Sequence, residues 1–107
     1  MTRTLSPHNP DINPLARDMG ALGAIVRNRR LEQSMRIDDA AALLGVSSNV
    51  LSRLENGHPV GSDRLLRVLE GFGLNMLVLP KSESTTALRA LGVTTSHARA
   101  SPSTGQS

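Results

Sequence analysis

The side chains best equipped for chemistry are concentrated between Asp38 and Gly57, in the run DDAAALLGVSSNVLSRLENG. Val50, Leu51 and Leu54 recur at helical spacing and mark a buried stripe. That leaves Ser48, Asn49, Ser52 and Arg53 on the opposite side. A short helix with a small polar outer face has the shape that enters a DNA major groove. A merely solvated face could carry the same serines and asparagine, so the pattern alone leaves both readings open. Catalysis lacks its parts. His8, His58 and His97 fall in expected loops or tails, none beside a carboxylate that could orient a nucleophile. One loop histidine cannot build a zinc site, there is no cysteine, and no glycine motif cradles a phosphate. We therefore expect no enzyme, no metal and no cofactor.

The polar helix needs elements to hold it. Asp38 to Leu44 is a helix-forming run with two carboxylates at its start, where a helix N-terminus welcomes negative charge. Gly45 can adopt the left-handed conformation that ends this helix, Val46 can bury in the elbow, and Ser47 can cap the next helix. Upstream, Asp18 is placed to cap a first helix over Met19 to Gln33. Leu22, Ile25 and Val26 form its buried stripe, and Gly20 and Gly23 weaken its start. Downstream, His58 to Gly61 reads as a loop stopped by Pro59. Ser62 then caps a helix over Asp63 to Phe72, with Leu65, Leu66, Leu69 and Phe72 facing the core and Gly73 at its end.

LLGVSSNVLSRLENG resembles the helix-turn-helix core of Xre-type, lambda-repressor-like DNA-binding proteins. With Arg27-x-x-Arg30 upstream and DRLLRVLEGFGLNMLVLP downstream, the chain is most similar to HipB-type antitoxins, whose helical domain ends in a β-strand. The resemblance covers about Asp18 to Pro80. It implies that Ser48, Asn49 and Arg53 meet base edges, with Ser47 and Ser52 flanking them. Their chemistry fits: Arg can bond guanine O6 and N7 together, Asn adenine N6 and N7, and serine can approach bases or phosphates. Asn56 with the Gly57 N–H resembles the family's phosphate clamp, and Arg27 is a further phosphate candidate, with Arg29 and His58 weaker ones. The position where a phosphate-binding glutamine usually opens the second helix is Ile37, so Arg36 must reach further or that contact is missing. Arg30 and Glu55 occupy positions that form a structural ion pair in the family.

Composition sets outer bounds. At 107 residues the chain is one small domain with tails. Phe72 is its single aromatic residue, which excludes base stacking on aromatic rings as a binding device. Net charge is +3, and all but one of the twelve basic residues are arginine. Acidic and basic residues nearly balance between Met19 and Pro80, so a positive face requires charge segregation. No apolar run is long enough to span a membrane and no signal peptide is evident, which leads us to expect a cytoplasmic, nucleoid-associated protein.

Residues 1–17 read as a flexible N-terminal arm and residues 81–107 as a disordered tail, in which Thr86 to Gly92 could form a short helix. Leu74, Met76, Leu77, Val78 and Leu79, between Gly73 and Pro80, favour a β-strand. A lone strand leaves its backbone groups unpaired, so we expect it to pair with its copy in a homodimer. The expected fold is all-α: a lambda-repressor-like four-helix domain over residues 18–80, with one strand, about 74–80, pairing across the dimer. The expected function is repression through a palindromic operator in double-stranded DNA. The HipB resemblance adds the role of an autoregulating antitoxin that neutralises a HipA-type Ser/Thr kinase. The alternatives are a protein-interaction module that does not read DNA, and a phage-type or metabolic repressor without a toxin.

Overall fold

A computed structural model describes residues 7–93. Its first compact unit ends at Met76 and its second begins at Leu77. The first holds four helices: α1 (Met19–Glu32), α2 (Ile37–Leu44), α3 (Ser48–Glu55) and α4 (Ser62–Gly71). Each boundary follows from local chemistry. Asp18 caps α1 by accepting from the Ala21 N–H at 2.7 Å. Gly45 ends α2 in the left-handed region (φ 76°), and the Val46 N–H then reaches back to the Ala41 carbonyl at 3.1 Å. Two residues later Ser47 accepts from the Val50 N–H at 3.0 Å and starts α3. The corner read from Gly45-Val46-Ser47 is thus formed, with Val46 packed against the core.

Val26, Ala40, Ala41, Leu44, Leu51, Leu54, Val68, Leu69 and Phe72 make that core, with Leu22, Leu65 and Leu74 against its edge. Two sequence expectations shift in α4. Leu66 is half exposed while Val68 is fully buried, so the inward stripe is Leu65, Val68, Leu69 and Phe72, at i, i+3, i+4 and i+7. The helix starts one residue early, and Gly61 occupies the cap position without a side-chain bond, so Ser62 does not cap it. On α1, Gly23 sits where α1 meets α3. A Cβ there would overlap the Leu54 carbonyl oxygen and lie 2.8 Å from that of Glu55. The residue that weakens α1 as an isolated helix is the one that lets it approach α3.

Described residues of the N-terminal arm are tied down: Asn28 on α1 accepts from the Asn9 N–H and donates Nδ2 to the Asn9 carbonyl at 2.9 Å. Beyond α4, the left-handed Gly73 turns the chain so that the Leu74 N–H bonds the Leu69 carbonyl at 2.8 Å, and Leu74 packs on the core. No strand forms among the described residues. Among the described residues the segment has no ladder partner, and Met76, Leu77, Val78 and Leu79 are exposed. Leu74 therefore packs at the edge of its own unit's core. In the second unit a 3₁₀ turn at Lys81–Glu83 leads into α5 (Ser84–Ala90), and Gly92 (φ 81°) closes the helix end. The short helix read over Thr86 to Gly92 corresponds to this α5. The expectations for residues 1–6 and 94–107 lie outside the described residues.

Candidate nucleic-acid interface

Helix α3 is positioned from inside by its apolar face and from one end by an ion pair. Leu51 and Leu54 are fully buried, while Val50 is only half-buried. Arg30 on α1 grips Glu55 with two bonds, Nε to Oε2 at 2.7 Å and Nη2 to Oε1 at 2.9 Å. Its Nη1 donates to the Met35 carbonyl at 2.8 Å, ahead of α2. The two charged side chains are only 8% and 5% exposed. One guanidinium therefore ties α1, the α1–α2 connection and the end of α3 together.

The outer face of α3 carries Ser48, Asn49, Ser52 and Arg53. Asn49 is exposed and makes no side-chain hydrogen bond among the described residues. Arg53 is exposed too, and its Nη2 donates to the Pro59 carbonyl at 2.9 Å, which holds the guanidinium against the following loop. Four of its five N–H donors stay available. Ser48 is half-buried, with its Oγ donating to Asp38 Oδ1 at 2.8 Å. Ser47 is exposed and accepts the cap bond, which leaves its O–H free to donate, and Ser52 is half-buried with its carbonyl accepting from Asn56 Nδ2 at 2.8 Å.

Around this face the phosphate candidates divide. Arg27 and Arg36 are exposed, and Arg36 stands at the N-cap of α2 without a side-chain cap bond. Ile37 packs against the core, as an apolar residue at that position should. The Gly57 N–H donates to the Leu54 carbonyl at 3.0 Å. Arg29 is structural as well: its Nε caps the end of α4 at the Phe72 carbonyl, 2.8 Å away, and its Nη1 meets Glu32 at 3.0 Å. Sequence reading missed the Asp38–Ser48 and Arg29–Phe72 bonds because their partners lie ten and 43 residues apart. The two carboxylates opening α2 were the only available signal for the first.

The sequence profile of the helix-turn-helix family matches residues 26–79. An uncharacterized HTH-type transcriptional regulator of Sinorhizobium fredii, y4mF, is 35% identical over 63 residues, which is 58% of this chain and 83% of that relative. No helix among the described residues is long and apolar enough to cross a membrane.

Proposed function

This chain belongs to the helix-turn-helix family of DNA-binding transcriptional regulators, and on that footing we propose that it is a sequence-specific repressor acting as a homodimer. One observation carries the reading. Helix α3 is fixed by a buried apolar stripe and the Arg30–Glu55 pair, while Asn49 and Arg53 face outward with hydrogen-bonding capacity to spare. In the proposed complex Ser48, Asn49 and Arg53 meet base edges, and Arg27, Arg36 and Asn56 meet phosphates. Dimerisation is supported by Met76 to Leu79, a run of four exposed apolar residues whose backbone would be paired by a second copy. The similarity to HipB-type antitoxins extends the proposal to a HipA-type kinase partner. Capturing a kinase encoded in the neighbouring reading frame tests that extension, and a neighbour without kinase character rejects it.

Selection of bound sequences from a random DNA pool tests the core of the proposal. The expected result is a palindrome with half-sites about 10 bp apart, one helical turn. Affinity should fall by orders of magnitude as salt rises, given about eight phosphate contacts per dimer. A second reading, an interaction module that does not read DNA, draws on the near balance of charge, on Ile37 and on the occupied Gly57 N–H. It is favoured if no sequence is enriched and the salt slope is shallow.

A further inference from the structure

The Asp38–Ser48 hydrogen bond has no counterpart among the roles assigned above. Asp38 is the second residue of α2, Ser48 the first of α3, and the bond brings the two helix starts together at 2.8 Å. In helix-turn-helix proteins the N-terminal residues of the reading helix contact base edges. If α3 is the reading helix, a carboxylate bonded to its first residue lies beside those base-contacting residues. Asp38 is exposed, so its charge remains accessible to a ligand.

The chemistry of the pair is one-sided. An ionised carboxylate only accepts hydrogen bonds, and Ser48 has used its single donor on it. What remains on both side chains is lone pairs. In the major groove, cytosine N4 and adenine N6 offer donors there, whereas guanine O6 and N7 and thymine O4 are acceptors. Resting on the DNA-reading proposal, we infer that Asp38 is a specificity-determining residue that, with Ser48, selects a base showing an exocyclic amine in the major groove, cytosine or adenine, and rejects guanine and thymine at one position of each half-site. The same carboxylate repels phosphates, so it lowers affinity for unrelated DNA and sharpens discrimination in two ways.

The experiment compares the full chain with Asp38→Asn and Asp38→Ala by selection from a random pool at one salt concentration, with circular dichroism to verify helicity. Wild type should enrich cytosine or adenine at one position per half-site. Asp38→Ala should lose that preference while keeping the others, and Asp38→Asn, which adds amide donors, should admit guanine or thymine. A second probe is the selected site with the amine removed, as a 2-pyrimidinone for cytosine or a purine for adenine. Wild type should bind it at least about tenfold more weakly, a charge-assisted bond's worth of discrimination, and Asp38→Ala less than about twofold. The two analogues also tell cytosine from adenine. Identical preferences in all three proteins, or equal sensitivity to amine removal, overturn the inference while leaving DNA reading intact. A pool in which wild type enriches nothing overturns DNA reading itself, and the role of Asp38 with it.

Discussion

Replacing Glu55 with alanine removes two bonds to Arg30, at 2.7 and 2.9 Å, and leaves the guanidinium with the Met35 carbonyl as its one protein acceptor. Arg30 is only 8% exposed at its side chain, so water cannot readily replace the lost partner. Breaking one side of such a pair costs roughly 3–5 kcal/mol, against about 5–15 kcal/mol for the total stability of a domain. At about 4–8 °C per kcal/mol for a domain of this size, the thermal midpoint should fall by roughly 12–40 °C. Urea and thermal melts followed by circular dichroism measure this, at fixed protein concentration because self-association shifts apparent stability. Glu55→Gln keeps an acceptor and should cost less. Arg30→Met combined with Glu55→Leu should recover most of the loss, because neither charge is then stranded. A Glu55→Ala cost below about 1 kcal/mol, the range of exposed ion pairs, would refute the argument that burial makes this pair matter.

Three further outcomes are expected. Gly23→Ala should lower the thermal midpoint: overlap with the α3 carbonyls costs about 1–3 kcal/mol, more than the helix propensity gained. Arg53→Ala should cost about 1–3 kcal/mol at one base pair and relax specificity there in a binding-site selection; a uniform loss on all sequences would make Arg53 a phosphate contact. Val78, 87% exposed, should become Asp without changing the melt of the monomer, yet sedimentation should show dimer shifted to monomer and operator affinity reduced.

The helix-turn-helix was legible because its signals are local. Gly45 ends one helix, Ser47 starts the next, and both act within four residues of their own position. The stripe on α4 was legible at Leu65, Leu69 and Phe72, but only packing chooses between Leu66 and Val68 for its remaining place. Gly23 looked like a defect because helix propensity counts only the helix's own backbone, whereas its value lies in the neighbour it admits. Arg29 and Arg30 look alike in sequence. Their acceptors, the Phe72 carbonyl and the Glu55 carboxylate, are brought near by the fold and by nothing adjacent in the chain. For the proposed reading face, residue types were informative, but Asp38 is tied to it only through a contact across the turn.

Arg30 lies outside the turn and both helices it serves, yet it grips the backbone just before one and the last side chain of the other. Transplanting residues 37–57 onto a foreign scaffold would carry the proposed base-contact residues without the anchor that aims them. A functional graft must include α1 as well, so the smallest portable recognition cassette begins near Asp18.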